Sequence, residues 1–379
     1  MNAPRTLNLR DSAIALALLI IGGFFALAEP KFLEARNLTL LLTELAISGT
    51  LAVGMLLVIL PGHIDLSVGS GLAMISGLAT VLSARAGWPS GVAMAVATSF
   101  AVVLWRVMGH LVVIQRIPAF IVTLAGMLVY RGLFWLVIDN QTIAVVAGGG
   151  SNAYSSLSTL QLSPWQGLTL VGLIVVMMFG MSWAGRRKLV ARGFMPPDGE
   201  LSFLRLFVAG QALLLLVLVT NEFRGLPLPL VIFGAVAALI HCLLTHTPWG
   251  RHLQAIGGNA EAAMLSGISV ARVVLAAFAL LGALVALTGL MLTSYTGNST
   301  TDLGEWMELD AVAACVIGGV SLRGGRGTVA GVLAGSLIMS TLLNGMTLMS
   351  ITPEHKLIAR GLVLLAAVWM DIRFGRKAV

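Results

Sequence analysis

Leu38-Thr-Leu-Leu-Leu-Thr-Glu-Leu-Ala-Ile-Ser-Gly-Thr-Leu-Ala-Val-Gly-Met-Leu-Leu-Val-Ile-Leu60 holds a single charged residue, Glu44, in an otherwise apolar and small-residue run. About 20 such residues in a helix match the roughly 30 Å hydrocarbon core of a bilayer. Working outward from it, similar runs fill the chain between Ser12 and Asp371, broken by short polar turns. Twelve candidate spans result, at about 12–29, 38–60, 66–84, 90–105, 117–138, 166–184, 203–220, 228–244, 273–293, 308–322, 326–349 and 356–371. The fourth is short and could continue through Leu111-Val-Val-Ile114. The expected fold is an all-α polytopic membrane protein with about 10–12 transmembrane helices. It reads as one transmembrane unit over 1–379: a first group of spans (12–184), a loop (185–202), and a second group (203–371) interrupted by the loop 245–272.

Composition agrees. Hydrophobic residues make up 58% of 379 and charged residues 10%, against about 25% charged in a soluble domain. That balance leaves too little polar surface to cover a soluble core. Forty-three glycines among apolar runs suit close helix packing in lipid. Cys242 and Cys315 both fall inside apolar runs, too few for a disulfide framework or a metal cluster.

The loops sort by charge. With the N-terminus placed in the cytoplasm, on the strength of Arg5 and Arg10, loops on that side carry fifteen Lys and Arg and the opposite side five. Cytoplasmic loops are enriched in these residues, so both termini are expected inside. Arg376 and Lys377 at the far end belong to the same count. The bias accounts for the net charge of +7 through lipid headgroups or cytoplasmic partners, without nucleic acid. No small-residue cleavage site follows the first run, which ends in Glu29-Pro30-Lys31, so that span is expected to remain as an anchor.

Three stretches depart from plain helix. In Leu60-Pro-Gly-His-Ile-Asp-Leu-Ser-Val-Gly-Ser-Gly71, Pro61 and Gly62 stop one helix, and Asp65 stands before Ser67 and Gly69, where the next begins. A broken element beside a polar pathway and an ordinary turn with a capping Asp65 both fit. Ile317-Gly-Gly-Val-Ser-Leu-Arg-Gly-Gly-Arg-Gly-Thr328 contains Ser321, Gly324 and Gly325 and leads into Gly327, Gly331 and Gly335, a ladder suited to tight helix contact. It lacks the GxxxxGK[ST] order of a phosphate-binding loop, as does the rest of the chain. Ile64-Asp-Leu-Ser-Val-Gly69 and Val320-Ser-Leu-Arg-Gly-Gly325 hint at two parallel copies of one unit. The third stretch, Thr245 to Arg272, centres on a short helix: Asn259 is a plausible N-cap and Gly267 a stop. It suits either docking in a partner's groove or mere connection.

Here the residues become recognisable. Gly257-Gly-Asn-Ala-Glu-Ala-Ala-Met-Leu-Ser-Gly-Ile268 resembles the EAAxxxG loop by which ABC-importer permeases engage their ATPase subunits, carried by Gly257, Gly258, Asn259, Glu261, Ala262, Ala263 and Gly267. Ile64 to Gly69 looks like the GIDLSVG motif of the monosaccharide permeases (the ribose, arabinose and xylose group), and Ile317 to Gly331 resembles their IGGxSLxGGxGxxxG motif. Asn344-Gly345 and Lys356 to Asp371 also fit, and Asn221 to Pro229 resembles the xylose-type branch. The chain departs from the pattern at Gly62-His63, where the family has Gly-Gly, at Pro61, and at the inserted Pro196-Pro197-Asp198.

The resemblance implies a permease subunit, working as a homodimer in the bacterial inner membrane. A periplasmic sugar-binding protein would deliver substrate, and a cytoplasmic ATPase subunit would hold ATP and Mg; this chain would bind no cofactor and carry no catalysis. A sugar route needs hydrogen-bonding groups, and candidates are Glu44, Ser48, Thr50, Thr123, Thr288, Thr293, Ser336, Ser340, Thr341 and Asn344. A Ser or Thr within a helix can instead bond its own backbone. Glu44 suits either the protein interior or a hydrated interface, and Arg131 raises the same question. The main alternative is an ion-gradient-driven secondary transporter. It would want paired carboxylates at mid-depth, whereas Glu44, Asp65, Glu308 and Asp310 are expected near span ends. The six histidines show no metal-ligand spacing that would mark an intramembrane enzyme.

Overall fold

A computed structural model describes residues 9–146, 150–196 and 198–375. Arg5, Pro197, Arg376 and Lys377 lie outside the described residues. The first half contains α1 (Leu9–Ala28), a 3-10 turn (Pro30–Leu33), α2 (Ala35–Ile59), α3 (Val68–Ala84), α4 (Ser90–Val113), α5 (Ala119–Ile138) and α6 (Ala153–Thr159). After α7 (Pro164–Ala191), α8 (Gly199–Asn221) and α9 (Leu228–His246) come the short α10 (Pro248–Gly258) and α11 (Ala260–Leu265). The chain closes with α12 (Val270–Thr296), α13 (Met307–Ile317), α14 (Val329–Leu348) and α15 (Pro353–Gly375). Eight of these helices are long and apolar enough to cross a membrane, and Ile14–Ala28 and Val68–Ala84 are shorter apolar helices. Among the described residues helices are the only extensive secondary structure, as composition and run length require. α4 does continue to Val113, and α7 extends to Ala191 into what reads from sequence as loop.

α2 is the axis of the bundle, with 83% of its most apolar window buried. Between apolar helices in lipid there is little hydrophobic drive to associate, so packing geometry decides. Small residues supply it: a Cβ at Gly331 or Gly335 of α14 would overlap the backbone of Gly318 or Ala314. The ladder read from the sequence therefore holds α13 against α14.

Around α2 the packing shows an internal repeat. α3 packs on α4 and α5, as α13 packs on α14 and α15. α12 packs on α3 and α4, as α2 packs on α13 and α14, and α2 and α12 pack on each other. The units α2–α5 and α12–α15 are thus alike, but they run in opposite senses. Leu60, after α2, abuts Gly257 of α10, in the segment that leads into α12, while Glu44, early in α2, meets Tyr295, late in α12. This corrects the parallel copies expected from the two hexapeptides. Residues 64–69 span the connection between α2 and α3 and the first residues of α3, and the counterpart of that connection is the α12–α13 connection, 297–306; residues 320–325 lie in a different connection altogether.

The loops gather at two ends. Ile143–Ala144 pairs antiparallel with Asn298–Ser299, and Gln161–Leu162 with Leu226–Pro227. At the other end lie α10, α11 and the 318–328 loop, beside Leu60. The expected span 308–322 is too short to be one: α13 has 11 residues instead of 15, a rise of about 16 Å, roughly half of a bilayer core. The chain reaches its start, Met307, through an irregular dip, and there Gly304 and Glu308 sit directly against Gly69 in the first turn of α3. Two helices restart from opposite sides and meet inside the bundle.

Candidate functional site

Three of the singled-out stretches, far apart in sequence, meet at the α10–α11 end. Gly325 N donates to Leu60 O at 2.8 Å. A Cβ at Gly257 would overlap both Leu60 O and Gly325 N, and one at Gly324 would stand 2.8 Å from Leu60 O and 3.0 Å from Gly257 Cα. Gly62, Gly324 and Gly325 adopt φ of 92°, 87° and 76°, the left-handed region that favours glycine. Ser321 closes its loop, with its N donating to Arg326 O at 2.9 Å and its Oγ accepting from Arg323 N at 3.3 Å. The junction is made of backbone.

From it project α10 and α11. Trp249 Nε1 on α10 donates to Val273 O at 3.3 Å, tying α10 to α12. Asn259 Oδ1 accepts from Ala262 N at 2.9 Å and starts α11; Gly267, at φ 83°, ends its C-terminal turn. Ala263 is buried as the anchor, Gly258, Glu261 and Ala262 are exposed, and Met264 and Leu265 present 61% and 91% of their surface. This short helix is held at its root and leaves two apolar side chains bare.

From the junction the connection 60–67 climbs into the bundle. Asp65 is wholly buried: Oδ1 accepts from Ser67 N at 2.8 Å and from Ser67 Oγ at 2.6 Å, and Oδ2 accepts from Trp105 Nε1 at 2.8 Å. Trp105, on α4, is also wholly buried; its ring occupies the space a Cβ at Gly71 would need. Thr123 Oγ1, on α5, donates to Ile64 O at 3.3 Å. Asp65 therefore does more than cap: it locks the restart of α3 to α4. His63, the departure from the family pattern, packs 6.1 Å from the Phe278 ring of α12.

The counterpart connection, 297–306, is held by α5 as well. Arg131 Nη1 donates to Thr301 O at 3.3 Å and to Leu303 O at 3.1 Å, and Trp135 Nε1 donates to Thr301 O at 3.1 Å. Arg131 is thus a clamp on irregular backbone, neither buried charge nor simple snorkelling. In α13, Asp310 pairs with Arg360 of α15 at 3.0 Å.

Glu44 lies toward the far end of α2, sixteen residues before Leu60, about 24 Å along the axis, and Asn344 of α14 stands beside it. Glu44 accepts from Tyr295 Oη at 3.3 Å and Asn344 Nδ2 at 3.4 Å; Asn344 Oδ1 accepts from Asn37 Nδ2 at 3.0 Å, and Ser48 and Ser340 share a bond of 3.2 Å. The structure joins Glu44 to Asn344 and separates both from the junction. Thr50 and Thr288 bond their own helices, to Ala46 O and Leu284 O. Sequence reasoning missed Trp105, Trp135, Tyr295 and the dip at 297–306. Only the dip left a signal: Asp302, Gly304, Glu305 and Trp306 crowded between two apolar runs.

The family described as "Branched-chain amino acid transport system / permease component" matches residues 37–368. The chain is 37% identical to the xylose transport system permease protein XylH of Escherichia coli K12, over 99% of this chain and 94% of that protein. It is 35% identical to the XylH of Haemophilus influenzae, over 98% and 99%, and 34% identical to the ribose import permease protein RbsC of Bacillus subtilis, over 94% and 91%. No solved structure matches it.

Proposed function

This chain belongs to the family of branched-chain amino acid transport system permease components, and we propose that within it the chain is the membrane-spanning subunit of an ATP-driven ABC importer carrying a monosaccharide inward, xylose favoured. It is a transport subunit of the bacterial cytoplasmic membrane and not an enzyme. The sugar reading follows relatives matched over nearly the whole chain, named for xylose and ribose. Importers of this kind work with an ATPase subunit and a substrate-binding protein.

The observation that carries the mechanism is the glycine junction, which ties the short exposed α11 to the connection climbing into the bundle. On this reading α11, from Asn259 to Gly267, seats in a groove of the cytoplasmic ATPase, where ATP and Mg are held. The termini and the α10–α11 end face the cytoplasm, in keeping with the fifteen-to-five distribution of Lys and Arg. Two copies pair as a homodimer, and the binding protein delivers sugar at the end carrying Ile143–Ala144 and Asn298–Ser299. Motion of the ATPase passes through Gly257, Gly324 and Gly325 to Leu60, and onward to Asp65, Ser67 and Gly69 where α3 restarts. Ser321 shapes the loop that presents Gly324 and Gly325. Glu44 and Asn344 lie at the far end and interact with the arriving sugar.

The complex of permease, ATPase and binding protein in sealed vesicles tests this. Uptake of D-xylose should require ATP and survive collapse of the proton gradient. The opposite pattern would mark an ion-driven transporter. Glu261→Arg should separate ATP hydrolysis from uptake without removing the chain from the membrane. Cysteines at Asn152 and Asn298 should react with an impermeant reagent outside, and one at Asn259 should not.

A further inference from the structure

Segment 301–306 carries two carboxylates, Asp302 and Glu305, into the dip between α12 and α13. Arg131, which holds it, stands seven residues before the end of α5, about 10 Å inward along the helix. Gly304, within the segment, abuts Gly69 where the two restarts meet. Yet along these six residues only Leu303 and Gly304 are buried; Asp302, Glu305 and Trp306 are exposed. Neither carboxylate pairs with a cation among the described residues. Carboxylates at such depth face water or protein, because lipid cannot solvate them. Beside them, Trp135 and Trp306 leave 44% and 43% of their surface open. The Trp135 ring is fixed by its bond to Thr301 O, so its exposed face is preorganised, with little ordering left to be done on binding.

We propose that Arg131, Trp135, Asp302, Glu305 and Trp306 form a water-filled monosaccharide subsite on the translocation route. This rests on the sugar-permease reading above. A pyranose is neutral, with hydroxyls around its rim and a C–H face. Carboxylates accept from the hydroxyls, the guanidinium donates to them, and indole faces cover the C–H side. Successive turns, with Leu303 N on Thr300 O, Glu305 N on Asp302 O and Met307 N on Gly304 O, hold the segment in shape.

The test uses the assembled complex with Cys242 and Cys315 replaced by alanine. Single cysteines are placed by Asp302→Cys, Glu305→Cys and, as a lipid-facing control on α7, Leu173→Cys. A charged thiol reagent should modify the first two and spare the third, and D-xylose, but not leucine, should slow the modification severalfold. Residues 302 and 305 as unreactive as 173 would overturn the proposal, and so would labelling indifferent to D-xylose. In parallel, Trp306→Ala should lower D-xylose uptake about tenfold, as loss of an aromatic face allows, with ATP hydrolysis nearly unchanged and Trp306→Phe restoring most of the uptake. Labelling is read without ATP. Uptake that needs no ATP would therefore remove the importer reading, while the labelling result would still decide for or against the subsite.

Discussion

The two interruptions in the bundle hold equivalent places in the repeat and are built from opposite materials. Connection 60–67 is sealed: Asp65 and Trp105 are both wholly buried and bonded to each other, and Leu60 is wedged against glycine backbone. Connection 297–306 is open: its backbone is clamped from α5 by Arg131 and Trp135, and its charged side chains are turned outward. α5 touches both, through Thr123 on the first and Arg131 and Trp135 on the second. One architecture therefore yields a stiff link on one side and a polar surface on the other. The difference arises from which side chains the sequence supplies there.

Substitutions can break or sharpen that contrast. The largest effect is expected from Gly257→Val, since the added side chain must displace Leu60 O and Gly325 N. A clash with backbone of this kind exceeds the usual overpacking penalty of about 1–3 kcal/mol, and the variant should fail to accumulate as a folded, detergent-soluble species. Next comes Asp65→Ala, which strands Trp105 Nε1 and Ser67 N inside the bundle. Thermal unfolding in detergent should show a loss of about 2–4 kcal/mol, at about 1–3 for each stranded donor less what relaxation recovers. Arg131→Met should cost less stability, about 1 kcal/mol, because its carbonyl partners lie in the open connection. Its D-xylose uptake should nevertheless fall steeply. If Asp65→Ala and Arg131→Met proved equal in unfolding, the sealed-versus-open contrast would be lost. Ser48→Ala, removing the bond to Ser340 and the bond back to Glu44 O of its own helix, should shift unfolding by no more than about 1 kcal/mol, setting the scale for a pair outside both interruptions.

Much of this architecture was legible in the chain. Apolar run length alone located the long helices, because the bilayer imposes one length on all of them. Asn259 and Gly267 bounded α11, since capping depends on local residue chemistry, and Gly331 and Gly335 announced a close helix contact that the backbone of α13 fills. The sense of the repeat was not legible. Two hexapeptides agreed by composition, while the true correspondence lies in which helices pack together, a property of pairs that no local stretch encodes. α13 escaped for a related reason: Glu308 to Leu322 is apolar enough to pass for a span, and only the contact of Gly304 and Glu308 with Gly69 shows that it starts halfway in. Among the candidate site residues, Glu44 and Asn344 were each visible as polar groups in apolar helices, but their bond across 300 residues was not. Trp105 gave no warning, because a tryptophan in an apolar run reads as packing until its indole N–H finds Asp65.

At the junction of Leu60, Gly257, Gly324 and Gly325, the groups nearest each glycine are main chain. Such a joint has nothing to protonate, oxidise or phosphorylate, and no charge for dissolved ions to mask. Its stiffness should stay constant through shifts of acidity and salt, and any tuning of the machine must be applied elsewhere.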